Sequence, residues 1–306
     1  MIQPQRRIAA SLLGTAGMLM ATALVIAQQP LNWAADDGSR VATLATDGSR
    51  LEGDHVIVWF PASLAPADAE ALVKRLDPGV AGLWRRIGTH EWQAVAKGKI
   101  TYYLSDDTFV SHASGRAAVF VPMARVRDGR APFLHEAVHE LLASTRRDPP
   151  SGGPPIRRPL WLTEGLPDYI ARLVAADIGI TEAGPWDTPT VAAADAICAE
   201  RARTPDGATM IPYIGSNARP DVLFTTDRSR FAPTFYTCSL SFVHHLSERA
   251  GLNHLLELFA FGPADMNARL DRLGSRKLSE WRTEWLRLLQ LDSPRESRPS
   301  HVAWSD

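Results

Sequence analysis

The chain has 306 residues, 45% of them hydrophobic and 22% charged, with nine tryptophans and two cysteines. This excludes a disordered tail protein, a collagen-like chain and a small disulfide-stapled scaffold, and supplies enough chain for one large domain or two modest ones. Thirty-three basic residues against 34 acidic ones leave a formal charge of −1, without the broad positive field that nucleic-acid binding needs.

The amino terminus reads as an export signal. Arg6 and Arg7 open it, residues 8–27 run without a charge, and Val25-Ile26-Ala27 ends the run with apolar and small residues where a signal peptidase would cut. Left uncleaved, the same run is just long enough to anchor the chain in a membrane. No cysteine follows it, so a lipoprotein is excluded. The expected location is exported, periplasmic or secreted, in a bacterium whose arginine and alanine bias suits a GC-rich genome. Export makes a bridge between Cys198 and Cys238 the favoured reading, against two separate buried thiols.

Residues 28–53 are polar, with Asp-Gly-Ser turns, and read as a loose leader to a single domain over 54–292. His55–Phe60 predicts a strand stopped by Pro61. Residues 65–87 carry apolar side chains at helical spacing, with a break expected at Pro78. Ile100–Leu104 and Ala117–Val126 predict two more strands, the latter closed by an Asp128-Gly129 turn, and a helix is expected over 132–144. Residues 146–159 are rich in proline, glycine and arginine and read as a surface loop. Its arginines Arg146, Arg147, Arg157 and Arg158 are solvated, or else rim a cleft. Helices are expected over 163–176, 234–250, 253–259 and 279–291, with a turn-rich stretch over 183–233 and a frayed tail over 293–306. Strands come early and helices late, so the fold class is α+β: a small mixed sheet followed by a mainly helical half.

One motif carries chemistry. His135-Glu136-Ala137-Val138-His139 lies inside a predicted helix. Histidines at i and i+4 project from one face about 6 Å apart, so both imidazoles can reach one tetrahedral zinc ion. Glu136 sits beside the first histidine, where it can reach a water at the metal as a general base. A third ligand is available in Trp161-Leu162-Thr163-Glu164-Gly165-Leu166-Pro167-Asp168-Tyr169: Glu164 opens the next helix and Asp168 lies one turn on. His244 and His245 are adjacent, diverge by about 100° on a helix and read as packing or surface residues.

HExxH followed by W-L-x-E-G-x-x-x-Y resembles the gluzincin metallopeptidases, the group of thermolysin and the aminopeptidase N-like enzymes. The resemblance spans roughly 55–291 and implies a zincin-like fold with one Zn2+ per chain on two helices. It implies His135, His139 and Glu164 as ligands, Glu136 as catalytic base, and Asp168 as the residue that orients His135. Phe235-Tyr236-Thr237-Cys238-Ser239 is similar to the Y-x-x-S/G helix of aminopeptidase-like members and implies Tyr236 as oxyanion donor; a core tyrosine is the alternative. Leu273-Gly274-Ser275 and the following Trp281 and Trp285 resemble the closing helix of small bacterial relatives. Pro167 stands where the family has a small residue, and is tolerated if it falls in the first helical turn. The glutamate that captures a free amino group in the aminopeptidases is absent before the zinc helix.

The expected activity is therefore zinc-dependent hydrolysis of peptide bonds in a peptide or protein substrate, by an endopeptidase rather than an aminopeptidase. The strand over 117–126 is expected to border the cleft. Arg125 and Arg127 would share one face of it and favour acidic or carboxylate-bearing segments. The competing reading is an inactive zinc-binding envelope protein that serves as a binding module.

Overall fold

The computed structural model describes residues 36–88, 98–114, 116–144, 158–258, 269, 273 and 276–291. The predicted signal segment, the arginines at 146, 147 and 157, and the tail lie outside them. No helix among the described residues is long and apolar enough to cross a membrane.

The first half is built on a five-stranded mixed sheet: β1 (Ser49–Glu52), β2 (Val56–Phe60), β3 (Ile100–Ser105), β4 (His112–Ala113) and β5 (Ala118–Pro122). The spatial order is β1-β2-β3-β5-β4, with β2, β3 and β5 parallel and both outer strands antiparallel. Helix α1 (Asp37–Asp47) packs against β2 and β3, and its Asp37 meets His112 Nε2 at 3.1 Å. Residues 37–52 are thus not a loose leader. Strand β1 pairs with β2 along its whole length, and Leu44 of α1 is buried, so both belong to the domain.

Helix α2 (Pro66–Ile87) makes the crossover from β2 to β3. The expected break at Pro78 does not occur: the helix runs through it, held by the buried stripe Ala69, Leu72, Leu76, Val80 and Leu83. Burial of such a face outweighs about 3 kcal/mol for an interior proline. Beyond β5 the predicted strand over 117–126 stops at Pro122, and Met123–Arg127 forms a short helix, α3. Arg125 and Arg127 therefore lie on a helix and do not share one face of a strand, as was expected of them. On a helix they diverge by about 200°, and Arg127 turns outward to Ser63 and Asp106, both at 3.0 Å.

Helix α4 (Phe133–Ser144) carries the HExxH sequence. It lies against the face of the sheet opposite α1, where the Tyr102 hydroxyl donates to the Phe133 carbonyl at 3.3 Å. The second half is helical: α5 (Leu160–Asp177), α6 (Val191–Ala202), α7 (Pro205–Ala208), α8 (Arg228–Ala250), α9 (Leu252–Glu257) and α10 (Leu278–Leu288). Two of these, α6 and α7, lie in the stretch that reads as turn-rich. Helix α5 starts three residues before the predicted Thr163, capped at Pro159, so Pro167 is interior rather than in the first turn. Helix α8 begins six residues before Thr234 and tolerates Pro233. A disulfide joins Cys198 on α6 to Cys238 on α8. Helix α10 docks on α8 through a hydrogen bond from Trp285 Nε1 to Ser241 Oγ, 2.8 Å.

Candidate metal centre and cleft

Helices α4 and α5 bring three ligand-type side chains to one point. His135 Nε2 and His139 Nε2 are 3.0 Å apart, and Glu164 Oε2 lies 3.8 Å from the first and 3.7 Å from the second. All three atoms fall within 4.8 Å of one another. Tetrahedral zinc with bonds near 2.05 Å needs ligand atoms about 3.4 Å apart, and the observed separations bracket that value. Two imidazole lone pairs and a carboxylate oxygen facing one another repel unless a positive charge sits among them. His135, His139 and Glu164 can thus hold a metal ion.

Without a metal ion, Glu164 and the histidines stabilise one another's charge. Burial works against the charge on Glu164, yet hydrogen bonds from His135 and His139 outweigh it and hold the carboxyl well below the ordinary carboxylate range. Burial likewise pushes His139 down, but Glu164 outweighs it and the imidazole pKa is raised. Each group favours its charged form because of the other, and a metal ion would take the place of the His139 proton, since an imidazole ligates only when neutral.

Glu136 is 6% exposed and lines the same cavity, of about 390 Å³, as the three ligands. Among the described residues no side chain bonds its carboxylate. Tyr236, on α8, also borders the cavity. Burial, reinforced by the Glu164 charge, pushes its phenol well above the ordinary value, so it is a neutral donor. Arg228, two turns earlier on α8, donates from Nη2 to the Tyr236 oxygen at 3.3 Å. The tyrosine accepts that bond and keeps its own proton for another partner.

Asp168 is not bonded to His135. Its Oδ1 accepts from Arg172 Nε at 3.1 Å, while Asp168 Oδ2 and His135 Nδ1 are both buried without a partner among the described residues. Arg172 lies one turn further along the same helix, at the i,i+4 spacing that lets it pair with Asp168. His244 and His245 stay away from the centre. His244 lies against Tyr169, and His245 packs edge-on against Trp281.

Five residues that no local pattern marks complete the site. Glu182 is buried and accepts from Leu134 N at 2.7 Å, capping the amino end of α4 from 48 residues away. Burial raises its pKa to about 8. Glu140 is buried and accepts from the amide of Ala117, 2.7 Å, tying α4 to the turn before β5, where Ala117 has φ of 58°. Arg228 was hidden by the short predicted α8, because a helix starting at Thr234 leaves it in a loop. Trp186 and Asp187 both take left-handed backbone, with φ of 56° and 52°, and the Trp186 ring lies 4.9 Å from the Arg228 guanidinium carbon. Such strain of about 1–3 kcal/mol per residue persists where the surroundings fix it.

The cleft is bordered by β4, not by β5. Strand β5 is paired on both sides, whereas β4 is the outer strand, and residues 110–114 line the cavity. No family model matches the chain, and no curated protein matches its sequence.

Proposed function

We propose that the protein is an exported zinc metallopeptidase with a zincin-like, gluzincin-type centre, acting on peptide bonds within a chain. The observation that carries this reading is the convergence of His135, His139 and Glu164 beside Glu136 and Tyr236 in one cavity. An antiparallel outer strand along the cleft supports it further, since an extended peptide can add to that edge through backbone groups alone. The Cys198–Cys238 bridge agrees with an oxidising compartment.

Zinc, when bound, would lower the pKa of a water toward 7 and polarise the substrate carbonyl. Glu136 takes the proton of the attacking water and returns it to the leaving amine. Tyr236 donates its hydroxyl proton toward the developing oxyanion, held in place by the Arg228 bond to its oxygen. Glu182 and Glu140 keep α4 fixed so that both imidazoles stay aimed at one point.

Metal analysis and peptidase assay of the purified protein test this together with two variants. The parent should carry one zinc per chain, and His139→Ala should lose it. Glu136→Gln should keep the metal and lose turnover by about two to four orders of magnitude, because glutamine cannot accept the proton. Full zinc content in His139→Ala would refute the ligand set. Undiminished turnover in Glu136→Gln would refute the mechanism, and no turnover by the metal-loaded parent on any peptide would favour a binding module.

A further inference from the structure

Arg125 lines the cavity and has no part in the proposed chemistry. It projects from α3 into the wall beside Glu136, half-buried, and no described side chain forms an ion pair or hydrogen bond with it. Burial pushes its guanidinium pKa down, and Glu136 and Asp187 only partly oppose this. Asp187 is itself exposed and drawn to Arg130, 3.7 Å away. The two carboxylates of the cavity, Glu136 and Glu164, face the metal position, where a divalent ion matches their charge. Arg228 is engaged by Tyr236 and Trp186. Arg125 thus borders the open cavity with its donors unspent among the described residues, and Arg228 and Arg130 add to the positive potential around it. A planar guanidinium in that setting matches a carboxylate through two parallel hydrogen bonds.

We propose that Arg125 is the receptor for a substrate carboxylate, so that the cleft selects peptides carrying an acidic side chain or a free carboxyl terminus next to the bond to be cut. This deepens the peptidase reading and rests on it. Arg125 here is a specificity residue: it acts through substrate binding, and Glu136 and Tyr236 do the chemistry.

The test uses internally quenched peptides blocked at both ends, identical except for Glu or Gln at the residues flanking the scissile bond. A second pair ends in a free acid or an amide one residue beyond it. The zinc-loaded parent should prefer the acid of at least one pair by about ten- to a hundredfold in kcat/KM, mostly through KM, as expected for a charge-assisted pair. Whichever pair shows the preference identifies the side chain or the chain end as the source. That ratio should fall toward one in Arg125→Gln and be partly restored in Arg125→Lys. It should invert in Arg125→Glu when a Lys-containing peptide replaces the acidic one. Anisotropy of the same labelled peptides with the Glu136→Gln protein reads binding without cleavage and should show the same order.

Equal turnover of acid and neutral twins by the parent overturns the proposal and leaves the peptidase reading standing. A preference that survives unchanged in Arg125→Gln also overturns it. If no peptide is cleaved but the Glu136→Gln protein still binds the acid twin more tightly through Arg125, the receptor assignment stands and the peptidase reading fails.

Discussion

Gly165 follows the candidate ligand Glu164 at the place where α5 crosses α8, and Gly165→Ala tests that crossing. A Cβ at this position would lie 2.6 Å from the Ser239 carbonyl oxygen and 2.8 Å from its carbon. Both atoms are backbone and cannot rotate away. Ordinary contact begins at 3.4 Å, so the two helices must part by about 0.8 Å, the difference between 3.4 and 2.6 Å. Overpacking costs about 1–3 kcal/mol, and against fixed backbone atoms the upper part of that range, about 2–3 kcal/mol, applies, while exchanging glycine for alanine inside a helix returns about 1 kcal/mol. The steric loss wins, and a net destabilisation of about 1–2 kcal/mol is expected. That corresponds to a melting temperature lower by about 2–8 °C for a chain of this size. Metal affinity should fall as well, because the displaced helix carries Glu164 one residue away. Thermal and urea unfolding of metal-free parent and variant measure the first effect, and zinc titration against a chromogenic chelator measures the second. An alanine variant as stable as the parent would show that α5 and α8 do not approach this closely.

Tyr236→Phe should lower kcat about a hundredfold with little change in KM, since an oxyanion donor acts on the transition state alone; a change confined to KM would place Tyr236 in substrate binding instead. Paired Cys198→Ala and Cys238→Ala substitutions should cost about 4 kcal/mol by loop-closure entropy over 40 residues of sequence separation, and urea unfolding midpoints that do not respond to reductant would contradict this. Burial lowers the His245 pKa, with Arg249 assisting and Glu284 opposing. The unfolded chain therefore takes up that proton first, and stability should be lost as pH falls through and below about 6.5. His245→Gln should flatten the loss between pH 7 and 5, which denaturation at several pH values will reveal.

The candidate metal-ligand pair is legible in the sequence because it is local. Four residues on an α-helix fix two imidazoles on one face whatever the rest of the chain does. The α+β class, the sheet strands β2 and β3 and the later helices follow from short-range hydrophobic periodicity for the same reason. Glu164 was reachable only through its resemblance to a known ligand motif, since nothing in the spacing fixes where the next helix lies. The interior prolines at 78, 167 and 233 misled the helix boundaries. Local propensity disfavours them, and only the packing of buried faces shows that the helices continue through them.

What only the tertiary structure decided are the relations between elements distant in sequence. Helix α1 and strand β1 look like leader because their own residues are polar, and their place in the domain depends on partners in β2 and β3. Glu182 caps α4 across 48 residues, and Asp168 turns to Arg172 rather than His135. Arg125 enters the cleft because β5 ends at Pro122 and the chain turns into a helix there, whereas a strand reading pairs it with Arg127. Sequence determines which side chains share a face within one element, through the fixed periods of helix and strand. Which faces then meet is set by burial summed over the whole core, and so are the cleft, its outer strand β4 and the charge facing a substrate.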